Sequence, residues 1–188
     1  MKKLLFAFAV LCVTSHVHAQ EKEPIRYGKN IITFNPIHLI ASDFVGVGFS
    51  YERIVNEYLG INTPVMIGMN NNYVNVGVEA KLYPAKNTGA VRYAIAPTLM
   101  VGIGTSNTEF YTLNPQTGVY DYYYQKENSN HFGFLLNQTV NITITNQFFL
   151  GLDGGLGLNY FDQKAKNEGN RNNLSFLAQL HASIGLRF

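Results

Sequence analysis

After Val13 the sequence has no run of about 18 apolar residues, so no transmembrane helix is available to it. Its one cysteine, Cys12, lies inside the N-terminal apolar run, so disulfides play no part in the fold. Charged residues are few, at 14% of the chain, and helix formers are sparse. In their place stand 12 Tyr, 13 Phe and 17 Gly, with apolar residues spread along the chain in short alternating pieces. Such a composition suits a β-barrel better than a helical or disulfide-stapled domain.

The first residues read as a secretory signal: Lys2-Lys3, an apolar run from Leu4 to Val13, then the small-residue end Val17-His18-Ala19. Leu11 directly before Cys12 argues against lipidation, and cleavage is expected after Ala19. Of the 14 Lys and Arg, Lys2 and Lys3 leave with the signal, which balances the 12 Asp and Glu of the remainder. The sequence pI of 8.6 therefore owes its basic side to a discarded segment, and no nucleic-acid partner is expected. Residues 1–19 are read as the signal peptide, 20–28 as a polar lead-in and 29–188 as one barrel domain.

The C-terminal stretch from Leu174 to Phe188 alternates strictly. Leu174, Phe176, Ala178, Leu180, Ala182, Ile184, Leu186 and Phe188 share one face; Ser175, Gln179, His181, Ser183, Gly185 and Arg187 share the other. Seven more such segments precede it. The cleanest sets Val74, Val76, Val78, Ala80 and Leu82 against Asn75, Gly77, Glu79, Lys81 and Tyr83. The first, about 29–40, is the least clean, because Asn35 and Pro36 interrupt it and either parity fits an outward face. Pro36, Pro64 and Pro97 are expected at bulges or strand ends, since a closed barrel has no edge where a missing N–H is harmless. Eight segments predict an all-β, eight-stranded antiparallel up-and-down transmembrane barrel. Short connections fall near 55–58, 85–91 and 145–147 at one end; the long ones, 105–130 and 161–172, fall with 41–43 and 70–72 at the other.

The signal, the eight alternating segments and the Leu186-Arg187-Phe188 ending resemble the small eight-stranded bacterial outer-membrane proteins, the class of the OmpA transmembrane domain, OmpX and OmpW. The resemblance implies a Gram-negative outer-membrane location. It also implies lipid and lipopolysaccharide neighbours, and recognition by the barrel-assembly machinery through Leu180, Ile184, Leu186 and Phe188. A lipocalin-like barrel would need a charged outer coat, which neither face of these strands supplies.

Inward parity collects Glu52, Glu79, Lys81, Arg92, Asp153, His181 and Arg187 into an expected polar network in the lumen. A barrel of eight strands is only about wide enough for its own side chains, and buried charges must pair, so the network is expected to plug rather than conduct. Inward glycines either leave a cavity or serve strand curvature. His181-Ala182-Ser183 is similar to the His-x-Ser pair of the lipid A deacylases. It lacks the downstream carboxylate, however, and only Asp153 or a glutamate of another strand stands in for one. The glycine-rich run 151–157 has no following helix to bind phosphate. The segment around Asn114-Pro-Gln-Thr-Gly118 reads as a hairpin, and its Phe110, Tyr111, Tyr120, Tyr122, Tyr123 and Tyr124 either suit contact with an extracellular protein or glycan or merely extend the barrel wall and pack on each other. The expected function is a non-enzymatic envelope barrel without cofactor or metal. A narrow, porin-like pore or small hydrophobic-ligand conduit stands second and lipid A modification third.

Overall fold

The computed structural model describes residues 28–40, 44–69, 72–163 and 174–188. The expected signal peptide, nearly all of the lead-in, the Ser42-Asp43 turn and most of the 161–172 loop lie outside these residues, as does the side chain of Phe110. Nine strands run in order: β1 (Asn30–Ile40), β2 (Phe44–Asn56), β3 (Leu59–Gly68), β4 (Tyr73–Leu82), β5 (Val91–Leu113), β6 (Tyr120–Asn128), β7 (His131–Thr143), β8 (Phe148–Asp162) and β9 (Ser175–Arg187). Eight of them close a barrel, each antiparallel to its neighbours, in the circuit β1-β2-β3-β4-β5-β7-β8-β9-β1. The first and last strands meet at the base, where Asn30 and Phe188 exchange backbone hydrogen bonds at 2.9 Å each way.

The ninth strand belongs to the hairpin foreseen around Asn114–Gly118. β5 pairs with β7 from Val91↔Ile142 to Gly102↔His131, then with β6 from Thr105↔Asn128 to Leu113↔Tyr120, and no register shift separates the two stretches. Residues 91–143 are thus one long hairpin whose upper half stands beyond the barrel rim. Its tip is closed by Asn114 N to Val119 O at 2.9 Å and Gly118 N to Asn114 O at 2.9 Å. Gly118 takes φ 67°, a left-handed conformation that glycine adopts without steric cost.

Strand alternation sets the faces. In β4 Val74, Val76, Val78 and Leu82 are exposed while Tyr73, Asn75, Glu79 and Lys81 are buried. In β9 Phe176, Leu180, Ile184 and Leu186 are exposed, as is Phe188 just after it, while Leu177, Gln179, Ser183 and Arg187 are buried. The molecule is inside-out: large apolar side chains cover the barrel wall and polar ones fill its middle. Gln138, which breaks the outward face of β7, accepts a hydrogen bond from the Tyr93 hydroxyl at 3.2 Å.

Proline meets expectation once and departs from it twice. At Pro36 the register of β1 shifts against both β2 and β9, so Ile32 and Phe34 point outward before the bulge and Ile37 and Leu39 after it. Both parities assigned to this segment are therefore realised, one on each side of Pro36. Pro64 and Pro97 stay within β3 and β5 without any bulge or strand end. Both keep their Cα register on the side away from β4, while the pairing toward β4 skips them. A proline lacks one donor only, so a local gap in one ladder suffices.

Candidate functional site

Inside the wall the side chains form three layers. Ile40, Met66, Tyr73, Met100, Leu135 and Leu177 make an apolar layer toward the hairpin end. Ile31, Ile54, Tyr83, Ala94 and Phe149 make a second at the base. Between them lies a polar middle. The cavity left there, about 20 Å³, has room for one or two water molecules.

Strand register builds that middle from two rows. Glu52, Asn62, Glu79 and Thr98 lie side by side on β2, β3, β4 and β5. Thr139, Asp153, His181 and His38 lie side by side on β7, β8, β9 and β1. Lys81 Nζ stands 3.5 Å from Glu52 and 3.9 Å from Glu79. Glu52 also accepts from the Tyr83 hydroxyl at 2.5 Å. Glu79 accepts from Asn62 at 2.6 Å, Asn137 at 2.9 Å and Thr98 at 3.1 Å. Across the lumen Asp153 pairs with His181 Nε2 at 3.3 Å and accepts from Thr139.

One chain of donors joins the rows and assigns the amide orientations. Carboxylates only accept, so Asn137 turns its Nδ2 to Glu79 and its Oδ1 to Gln179 Nε2, 2.8 Å away. Gln179 then offers Oε1 to His38 Nε2 at 3.3 Å, which puts the proton on that nitrogen and leaves Nδ1 as an acceptor. His38 and His181 face each other with ring centroids 4.5 Å apart.

Of the seven lumen residues expected from sequence, Glu52, Glu79 and Lys81 come together, and Asp153 meets His181. Arg92 and Arg187 have described contacts elsewhere. Arg92 lies with its guanidinium 4.7 Å from the Phe149 ring centre, in the basal layer. Arg187 donates to Gly28 O at 2.6 Å, Asn87 O at 2.9 Å and Asn87 Oδ1 at 3.2 Å, tying the last strand to a turn. Asn62, Thr98, Asn137, Thr139 and Gln179 also belong to the network, although inward parity marks them only as facing the lumen and their lack of charge gives no sign of a partner. His38 was hidden by the bulge, and Asn87 sits in a turn where no periodicity operates.

The inward glycines are seats for neighbours rather than a cavity. A Cβ on Gly185 would overlap the Phe149 ring, and one on Gly102 would overlap the Tyr73 hydroxyl, which hydrogen-bonds with His131 at 2.8 Å. His181 and Ser183 both point inward, but His181 Nδ1, the nitrogen that would take a serine proton, is buried and makes no hydrogen bond. Asp153 thus supplies the missing carboxylate without a relay to Ser183. Among the described residues no three of His, Cys, Asp or Glu are grouped to hold a metal ion.

On the hairpin, Tyr111, Tyr120, Tyr122, Tyr123 and Tyr124 are all exposed. Leu180, Ile184, Leu186 and Phe188 stand exposed along one face of β9.

A closed, inside-out antiparallel barrel of eight strands with a packed lumen is the architecture of the small outer-membrane barrels. Among solved structures this chain is similar to the N-terminal β-barrel domain of Pseudomonas aeruginosa OprF, with TM-score 0.51 and 9% identity over 87% of this chain and 100% of that one. Neisserial surface protein A (NspA) matches with TM-score 0.48 and 13% identity, over 85% of this chain and 96% of that one. The likeness to the OprF domain is one of fold. No known family profile matches the chain, and no curated protein does.

Proposed function

We propose that this chain is a non-enzymatic barrel of the Gram-negative outer membrane, exported by a cleaved signal peptide, with a structural role in the envelope and a surface hairpin available for binding. One observation carries the reading: the large apolar side chains stand outside and the charges inside, a distribution that is stable only when lipid surrounds the wall. The test is migration on gels. The folded barrel is expected to run differently before and after boiling, and identical migration would count against it. Assembly through Leu180, Ile184, Leu186 and Phe188 is part of the proposal, so deleting Phe188 is expected to lower the assembled protein in the outer membrane.

The apolar layers at both ends of the polar middle weigh against the pore and ligand-conduit readings. Purified barrel in planar bilayers is accordingly expected to show no steady conductance; a stable open level would reinstate the pore. The unengaged His181 Nδ1 weighs against lipid A modification. Because the β5–β7 ladder runs without help from β6, replacing residues 106–127 by a short turn is expected to leave the shift on boiling intact. Loss of that shift would mean that the hairpin is needed for closure.

A further inference from the structure

The hairpin carries the register of the wall past the rim without a shift, so the outward parity continues along it. Leu99, Val101 and Ile103 of β5 face outward, and the same parity continues to Tyr111 and Leu113. On β6, Tyr122 stands opposite Tyr111 and Tyr120 opposite Leu113, so Tyr120, Tyr122, Tyr124 and Lys126 share that face. Tyr123, Asp121 and Gln125 occupy the reverse. The Tyr111 and Tyr122 ring centres are 6.5 Å apart, and the residues stay 64% and 71% exposed.

We propose that the outward stripe of Tyr111, Tyr120, Tyr122 and Tyr124 binds the core sugars of the lipopolysaccharide molecules packed around the barrel. The inference rests on the outer-membrane reading above. Register supplies the occupant, because a face continuous with the lipid-facing belt looks sideways at the same molecules higher up. Residue type agrees with it. Below the rim the outward side chains are Leu, Val and Ile; above it the same parity passes the polar pairs Thr105–Asn128 and Asn107–Lys126, then Glu109 opposite Tyr124, and ends in tyrosine, whose ring stacks on the C–H face of a sugar while its hydroxyl meets the sugar hydroxyls. Height agrees as well. Seven residues separate Gly104 from Tyr111, about 23 Å along the strand and roughly 17 Å above the rim at the usual barrel tilt. That reach passes the phosphorylated headgroup and enters the core sugars. Lys126, exposed on the same face and nearer the rim, stands where phosphate is expected.

The experiment uses the full mature chain refolded in three vesicles: phosphatidylcholine alone, phosphatidylcholine with lipid A, and phosphatidylcholine with rough lipopolysaccharide bearing core sugars. Amide hydrogen exchange of residues 105–128 is read in each. Exchange is expected to slow several-fold in the third vesicle only. The slowing should vanish in Tyr111→Ser/Tyr122→Ser/Tyr124→Ser and persist in Tyr123→Ser on the reverse face. Equal exchange in all three vesicles, equal slowing by lipid A alone, or equal loss in both variants would overturn the proposal. Flotation with the vesicles after an alkaline wash reports the membrane reading separately. A chain that washes off overturns both, whereas one that stays while its hairpin ignores the sugars overturns this inference alone.

Discussion

Lys81→Met is expected to destabilise the barrel by about 3–5 kcal/mol, because it removes the cation from two buried carboxylates and leaves their charge uncompensated. Lys81 and both glutamates are less than a tenth exposed, and Lys81 reaches Glu52 at 3.5 Å and Glu79 at 3.9 Å. Glu79 retains donors from Asn62, Thr98 and Asn137, but Glu52 keeps only the Tyr83 hydroxyl among its described side-chain partners. Glu52→Gln introduced beside Lys81→Met should therefore recover part of the loss, since an amide oxygen still accepts from Tyr83 and carries no charge. Urea unfolding of the refolded barrel in vesicles, run as a double-mutant cycle, measures the coupling. Additive single effects would show that the three groups act independently.

Gly157→Ala is expected to be as severe, on the order of 4 kcal/mol or outright failure to close. Gly157 sits on β8 opposite Leu135 of β7 and Leu177 of β9. An added Cβ would overlap the Phe134 carbonyl oxygen and lie 2.7 Å from the Leu135 Cα. Both are backbone atoms, so no side chain can swing aside and β7 and β8 would have to part. Gly154→Ala on the same strand is the matched control. Its new Cβ would meet nothing nearer than 3.7 Å, an ordinary contact, and its cost should stay within about 0.5 kcal/mol. If both variants unfold at the same urea concentration, the close approach at Gly157 is not what limits packing.

How far each element was legible follows from how local its signal is. The two faces of β4 are legible because Val74 to Tyr83 alternates without interruption and a shift by one would expose Glu79 and Lys81 to lipid; the strand itself runs one residue earlier at each end, Tyr73–Leu82. β1 was ambiguous because the bulge at Pro36 reverses parity midway, and His38, the partner of Gln179 and neighbour of His181, was lost with it. The lumen acids and Lys81 were visible as inward charges. That Arg187 turns to Asn87 and Arg92 to Phe149 was not, since parity says which way a side chain points and not what it meets.

By itself the sequence determined the two faces of the wall, the number of strands that close it and the existence of the Tyr-rich hairpin. All three follow from two-residue alternation and turn residues, which are properties of neighbours along the chain. Tertiary structure alone decided that the extension of the wall by the hairpin, one of two readings the sequence left open, runs without a register shift, that two apolar layers enclose the polar middle, and that Asp153 meets His181 while Glu79 gathers Asn62, Thr98 and Asn137. Those partners lie on different strands, and only the tilt and stagger at which the sheet closes bring them to one height.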